Sequence, residues 1–146
     1  MPSTLTKTLQ PIPMLIFNGN CAEAMDFYAD VLGGTIKVKM IAGESPVAEH
    51  MPKEFADKVL NAQLALPGGG LLFACDCAPH IPYDVKGVHL ALNLDTVEEA
   101  EEIFNRLSEG GEVEMPFAPT FWAEKFGMLD DKYGVSWMIN GGLLIK

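Results

Sequence analysis

Apolar and polar residues follow one another along this chain in two series that have the same order. In the first series, the apolar run Ile12–Phe17 predicts a short buried strand. Asn20 and Glu23 then form a capping-box pattern, and a glycine pair at 33 and 34 predicts the helix end. The apolar residues between these signals recur at helical spacing: Ala24, Phe27, Tyr28 and Val31. The series therefore predicts a strand followed by one amphipathic helix.

The second series repeats the first at an offset of 76 residues. Val88–Leu94 predicts a strand, Thr96 and Glu99 form the capping-box pattern, and glycines 110 and 111 end the helix. The apolar face of this second helix consists of Ala100, Ile103, Phe104 and Leu107. Because the strand, the cap, the helix face and the glycine pair recur in the same order, we interpret the chain as an internal duplication.

Each predicted helix is followed by three candidate strands. In the first half these are Thr35–Ile41, Val59–Leu66 and Gly70–Asp76; in the second half they are Glu112–Met115, Trp122–Leu129 and Val135–Asn140. Tight turns are predicted at 67–69 and 131–134, and loops at 42–57 and 116–120. Residues 79–86 are predicted to link the two halves.

These elements predict an α+β fold with two tandem βαβββ modules, about 10–78 and about 86–142, in a single domain over 1–146. Neither module can bury both its helix and its sheet alone. We therefore expect the modules to pair, with a curved mixed sheet around a ligand cavity and the helices outside. Trp137 is predicted to point toward the helices.

Composition narrows the choice of partners. The chain is 49% hydrophobic, and 10 basic against 20 acidic residues give a net charge of −10. This charge repels phosphate backbones and anionic lipids, so neither nucleic acid nor a membrane is expected as a partner. The polar N-terminal residues lack the apolar stretch of a secretory signal, and three cysteines suit a reducing compartment. We expect a cytoplasmic protein with packed thiols.

Two stretches of the chain resemble a known superfamily. Residues 17–28 (FNGNCAEAMDFY), with the Leu-Gly-Gly that follows at 32–34, resemble the first unit of the vicinal oxygen chelate superfamily, which includes glyoxalase I, bleomycin- and fosfomycin-resistance proteins and extradiol dioxygenases. Residues 121–140 (FWAEKFGMLDDKYGVSWMIN) resemble more narrowly its PhnB-like branch, often called "3-demethylubiquinone 3-methyltransferase-like". The resemblance implies paired modules, frequent assembly as dimers and a reaction centre inside the sheet.

The resemblance also implies where a metal would bind. In metal-using members, His, Gln or Glu side chains on the first and last strands of each module hold the cation. Alignment places these positions at Pro13 and His89 on the first strands and at Phe73 and Met138 on the last strands, with a possible slip from Phe73 to Cys75 or Asp76. Since one histidine does not hold a metal, we expect no metal and no other cofactor.

Several residues remain candidates for a site inside the sheet. His89 and Glu124 are candidate acid–base residues, because an imidazole facing a cavity and a carboxyl between aromatic rings can both transfer protons. Asn61 and Gln63 share one strand face and could orient a ligand oxygen, although a face exposed to solvent explains them equally well. The other candidates for ligand binding are Phe73, Cys75, Phe117, Phe121, Trp122 and Met138.

The sequence thus favours a PhnB-like protein that binds a small, partly apolar metabolite without metal. One alternative is a metal-dependent lyase or dioxygenase of glyoxalase type that uses His89. Another is a homodimeric small-molecule-binding or interaction protein without catalysis, in which the aromatic residues serve the interface. A doubly wound methyltransferase is disfavoured, because the glycines at 68–70 lie between two predicted strands and open no helix.

Overall fold

The alternating pattern folds into two modules with the same order of elements in the computed structural model, which describes residues 11–77 and 87–144. The predicted link at 79–86 lies outside the described residues. The first module contains β1 (Met14–Phe17), α1 (Cys21–Leu32), β2 (Thr35–Ile41), β3 (Val59–Ala65) and β4 (Leu71–Asp76). The second contains β5 (Leu90–Leu94), α2 (Val97–Ser108), β6 (Glu112–Ala118), β7 (Ala123–Asp130) and β8 (Ser136–Leu143).

Each module forms a four-stranded mixed sheet with one helix. The strand orders are β1-β4-β3-β2 and β5-β8-β7-β6, so the two sheets have the same topology. In each sheet the first strand runs parallel to the last, and the other neighbours are antiparallel. The predicted α+β fold of two tandem βαβββ modules is confirmed. Within the described residues the two sheets do not close into a barrel.

The two helices begin differently, although the sequence predicts the same cap for both. Thr96 accepts a hydrogen bond from the Glu99 amide at 3.2 Å, as its capping pattern predicts. Asn20 makes no side-chain cap, so that prediction is wrong. The Asp76 carboxylate at the end of β4 takes this role and accepts hydrogen bonds from the amides of Gly19 at 2.9 Å and Cys21 at 3.0 Å. A carboxylate is favourable there because of the helix dipole.

The predicted loop at 116–120 is too long by three residues. Strand β6 continues through Pro116 to Ala118. Proline is tolerated because β6 is an edge strand, where one side of the backbone has no strand to bond. The other predicted loop, 42–57, contains three one-turn 3-10 helices, at Ala42–Glu44, Ala48–His50 and Lys53–Phe55.

One hydrophobic core joins the two modules on the side of the sheets that carries the helices. Tyr28 is fully buried, and Trp137 is only 1% exposed and points into this core, as predicted. Their rings meet edge to face, with centroids 5.5 Å apart. We call this side of the sheets the helix side and the opposite side the open face. Because strand side chains alternate, every second residue belongs to each side.

The buried carboxylate of Asp131 connects the modules within this core. Its Oδ2 atom accepts hydrogen bonds from the Tyr28 hydroxyl at 2.6 Å and from Trp137 Nε1 at 2.9 Å. Its Oδ1 atom accepts from the amides of Tyr133 and Val135, which shapes the predicted turn between β7 and β8. Burial and the Asp131 carboxylate both raise the pKa of Tyr28, which therefore stays a neutral donor. One side chain thus fixes a turn and holds α1 against the second module.

Other contacts between the modules are more exposed. Arg106 on α2 donates to Asp30 on α1 at 2.7 Å, but the Asp30 side chain is 79% exposed, so the pair adds little stability. The Tyr133 hydroxyl donates to Glu23 at 2.8 Å, and burial together with this bond raises the pKa of Tyr133 to about 12. Among the described residues, no helix is long and apolar enough to cross a bilayer.

We predict that Asp131→Asn lowers the free energy of unfolding by about 3 kcal/mol, because an amide cannot accept from four donors and leaves buried groups unpaired. Tyr28→Phe should cost less, about 1–2 kcal/mol, since Asp131 keeps three donors. Urea unfolding at pH 7 followed by tryptophan fluorescence measures both. Asp57→Asn is the control, because the Asp57 side chain is 80% exposed. Equal stability of Asp131→Asn and this control would contradict the prediction.

Candidate functional site

The open face of the first module is formed by rows of side chains that the strand register aligns. One row crosses all four strands, because Met14 pairs with Phe73, Phe73 with Gln63, and Gln63 with Val38. The core residues Ala62, Leu72 and Ala74 alternate with these residues and lie on the helix side. A second row contains Ile16 beside Cys75 and Asn61 beside Met40. Four predicted ligand-binding residues, Asn61, Gln63, Phe73 and Cys75, therefore share this face.

The open face of the second module has three aligned rows. A polar row contains His89, Ser136, Asp130 and Glu112. The next row is apolar and contains Ala91, Met138, Met128 and Met115. A third row contains Asn93, Asn140, Phe126 and Ala118. The predicted residues His89 and Met138 thus lie on the same surface, in neighbouring rows.

A cluster of protonatable groups surrounds His89 at the end of this face. His89 Nε2 lies 3.3 Å from Glu114 Oε2, with both side chains about one third exposed or less. Ser136 donates to Asp130 at 2.5 Å. Hydrogen bonds from Ser136 and from Glu114 lower the pKa of Asp130, and His89 acts in the same direction. We call His89, Glu114, Asp130 and Ser136 the histidine cluster. An imidazole beside carboxyl groups can accept and return a proton.

The structure does not bring Glu124 to His89. Glu124 and Asp130 lie on the same strand, six residues and about 20 Å apart. Glu124 contacts Gly142 at the far end of the face and is exposed. The carboxyl group beside His89 is instead Glu114 on β6. Sequence alternation could not reveal which strand crosses near His89, because that depends on the order of the strands.

The aromatic candidates separate between the two sides. Trp122 lies on the open face, where its Nε1 donates to Asn140 at 3.0 Å and its ring meets Phe126 with centroids 5.1 Å apart. Phe121 packs on Trp122 but is 79% exposed. Phe117 is stacked on Phe104 of α2 on the helix side, so the structure does not bring it to this site.

The cysteines have the surroundings of packed thiols. Burial raises the pKa of Cys21 to about 12, and the nearby Asp76 carboxylate acts in the same direction. Burial also raises the pKa of Cys75, which lies half-buried on the open face. Cys77 is buried and contacts Asn18. A thiol is a weaker nucleophile than a thiolate, so Cys21 and Cys75 are suited to packing at neutral pH.

The residues present do not fit the metal site that the superfamily resemblance implies. Burial on β1 shows that Pro13 is misaligned by one residue, because Leu15 and Phe17 lie on the helix side and Met14 lies on the open face. The slip to Asp76 is also excluded, since its carboxylate is directed at α1. Thioether and phenyl groups then accompany His89, and these are poor ligands for divalent cations of this class. A slip to Cys75 would add one thiol, and two ligands are still fewer than the three that a catalytic metal site needs. Residues 11–77 and 87–144 contain no group of three or more potential ligands.

The open face is uncovered in the single chain. Met14 is 48% exposed, Met40 41% and Met115 47%, all large fractions for apolar side chains on a sheet. Two cavities lie between the modules. One of about 50 Å³ is lined by Ile16, Val88 and Ser136 beside this face, and one of about 210 Å³ is lined by Leu32, Leu66 and Ile103 on the helix side. In a single copy of the chain, the region predicted to form the ligand cavity is therefore an open surface rather than an enclosed pocket.

Comparison with known proteins gives a consistent family. The model of the family described as 3-demethylubiquinone-9 3-methyltransferase matches residues 10–140. Protein YjdN of Escherichia coli (strain K12) is 35% identical over 136 residues, which cover 88% of this chain and 92% of YjdN.

Solved structures agree with this match. Protein PA1353 of Pseudomonas aeruginosa is 46% identical with a TM-score of 0.83, covering 91% of this chain and 97% of that chain. A PhnB protein from Bacillus cereus is 26% identical with a TM-score of 0.74, covering 90% and 98%. The fosfomycin resistance protein FosX of Listeria monocytogenes, 13% identical with a TM-score of 0.64 and covering 95% and 97%, shares the fold alone.

We predict that Ser136→Ala raises the pKa of Asp130, because the largest cause of its lowered value is the hydrogen bond from Ser136. A lowered pKa in the folded state stabilises the protein above the unfolded-state value of about 4, and this stabilisation is lost as the pH falls through the folded-state pKa. The variant should therefore lose more stability at neutral pH than at pH 2. Carbon-detected NMR titration of the Asp130 carboxyl measures the shift. Ser108→Ala, on α2, should leave that titration unchanged.

Proposed function

The chain belongs to the family described as 3-demethylubiquinone-9 3-methyltransferase, the PhnB-like branch of the vicinal oxygen chelate superfamily, and from this premise we propose that its open face binds a small, partly apolar molecule without a metal. The methyl transfer in the family description is not part of the proposal. The glycines at 68–70 connect the antiparallel strands β3 and β4 and do not begin a helix, so they do not form the turn of a doubly wound methyltransferase.

The observation that carries this proposal is the chemistry of the open face. Five methionines lie on it, and all belong to the aligned rows: Met14, Met40, Met115, Met128 and Met138. Methionine is flexible and polarizable, and it adapts to apolar partners of varied shape. Asn61 and Gln63 in the first module, and the histidine cluster in the second, supply polar groups that would orient a ligand. Apolar surface with few polar groups is typical of small-molecule sites.

His89 is the open-face residue best suited to acid–base chemistry in this proposal. Its contact with Glu114 would orient the ring and stabilise the imidazolium after the ring accepts a proton. No step depends on a metal, because the positions that superfamily enzymes use for ligands carry Met14, Phe73 and Met138 beside His89. The three free thiols suit a reducing cytoplasm, where we place the protein.

We further propose that a second copy covers the open face and completes the cavity. The edge strand β2 carries Lys37 and Lys39, and the edge strand β6 carries Glu112 and Glu114. In a two-fold dimer, β2 of each copy can approach β6 of the other, so that opposite charges meet at both edges. Such pairing would also cover the exposed Val38 and Met40.

We predict that small apolar probes shift the methyl signals of the open-face methionines in the presence of a chelator. Protein labelled with 13C at the methionine methyl groups is titrated with 4-ethylphenol in EDTA. Met128 and Met138 should shift because they lie in the apolar row, whereas Met25 is fully buried in the core and serves as the internal control. His89→Ala should retain this binding.

Two results would contradict the proposal. Shifts confined to Met25, or no shifts, would remove the open face as a binding surface. Binding that requires added Zn²⁺ or Mn²⁺ and disappears in His89→Ala would instead favour the metal-dependent lyase or dioxygenase alternative.

We predict a solution mass of about twice 15.9 kDa by light scattering, and a monomer for the double variant Val38→Glu/Met40→Glu. Two buried carboxylates on the edge of an interface are costly and also cancel the positive charge of Lys37 and Lys39 on β2. The matched control is Val47→Glu, because Val47 has a similar exposure of 42% but lies in the loop between β2 and β3. A monomeric wild type would refute the dimer.

A further inference from the structure

We propose that Asn61 accepts a hydrogen bond from the bound molecule and so selects ligands that carry a hydroxyl or N–H donor beside an apolar group. This inference rests on the proposed function and specifies the chemistry of its ligand. The sequence alone left Asn61 equally explained by an exposed strand face. Its surroundings in the structure distinguish the two possibilities.

The side-chain oxygen of Asn61 is buried without a partner. Its accessible area is below 1 Å², and no hydrogen-bond donor reaches it among the described residues. It is the one buried side-chain nitrogen or oxygen in this part of the chain with no partner. Buried polar atoms are almost always paired, because an unpaired acceptor loses its bonds to water and gains nothing in return. When the amide turns its oxygen toward the open face, a donor brought by a ligand restores that bond.

An irregularity in the sheet lies directly beside this side chain. Ile41 pairs with Val59 and Met40 pairs with Asn61, so Leu60 is an extra residue between two pairs. Val59 and Ala62 both lie in the core, although they are three residues apart, which a regular strand does not allow. The bulge at Leu60 therefore turns Val59 back to the core, whereas Asn61 lies on the open face by regular alternation with Gln63. Bulges are frequent beside functional sites, where they redirect one side chain.

The neighbours of Asn61 define the rest of the ligand. Met40 is its partner on β2, and the register of β3 and β4 places Cys75 across from it. Phe73 and Ile16 lie on the same face in the first module. These side chains offer apolar and polarizable surface but no charge, so the complementary molecule is a neutral apolar group, such as a ring, with one donor directed at Asn61 Oδ1.

The test compares 4-ethylphenol with 4-ethylanisole, its methyl ether, which has the same ring but no donor. Dissociation constants come from the methyl signal of Met40 in 13C-methionine protein. We expect wild-type protein to bind the phenol about 10-fold more tightly than the ether, the effect of one hydrogen bond to an otherwise unpaired group. The ratio should fall to about 1 in Asn61→Leu, since an aliphatic side chain accepts no hydrogen bond.

The melting temperature provides a second measurement. If Asn61 had a structural role, replacing it would lower the melting temperature. Because Asn61 Oδ1 has no partner to lose, Asn61→Leu should not lower the melting temperature. The same measurements are made on Asn61→Val, because valine is favourable in a strand. Either variant, if it folds, tests the role of Asn61. Asn105→Leu, the same exchange on the exposed side of α2, should keep the 10-fold preference.

The outcomes separate this inference from the proposed function. Equal binding of the two probes to wild type, a preference for the ether, or an unchanged preference in the Asn61 variants would overturn the role of Asn61 and leave the binding surface intact. A lowered melting temperature in both variants would also overturn it, because the oxygen would then have a structural partner. If neither probe shifts any open-face methionine, the proposed function fails and the inference fails with it.

Discussion

The buried carboxylate of Asp131 is the constraint on which the arrangement of the two modules depends. It binds Tyr28 of the first module and Trp137 of the second through one oxygen, and the turn after β7 through the other. A buried charge is tolerated only when its hydrogen bonds are satisfied, and four donors satisfy this one. Because the donors come from α1, β8 and the turn, the modules are held in one relative position, with both helices on the same side. The open face is the geometric consequence.

In that arrangement, residues that stabilise the fold alternate along each strand with residues that are available for binding. Residues on the helix side, such as Ala74 and Ile139, are fully buried and must keep their size. Residues on the open face, such as Phe73 and Met138, make few contacts with the core and can change without disturbing it. A superfamily scaffold can therefore lose metal-binding side chains while the fold remains intact. Phe73 and Met138 give these positions of the open face an apolar and polarizable surface.

The elements and the duplication could be predicted from sequence, because both depend on local periodicity and on glycines such as Gly33, whose left-handed conformation ends α1. The site could be predicted only in part. Alternation put Asn61 and Gln63 on one face, and the strand register adds Phe73 and Cys75 to it, but alternation could not show that Glu114 rather than Glu124 contacts His89. The cap of α1 failed for the same reason: Asp76 is 55 residues from Cys21 in sequence, and its carboxylate occupies the place that a local pattern assigned to Asn20.

The misplacement of Pro13 on β1 shows how the alternation of buried side chains can correct an alignment that is based on sequence motifs. The helices repeat at 76 residues, but the strands before them do not, since Phe17 lies four residues before the first residue of α1 whereas Leu94 lies three before that of α2. A connection longer by one residue exchanges the two sides of a strand, because side chains alternate with a period of two. Pro13 therefore does not correspond to His89 even though the spacing is the same. The burial of Leu15 and Phe17 settles which side of β1 belongs to the open face, and this face carries Met14. The residues that share a face with His89 therefore depend on the side of each strand as well as on the position in the sequence.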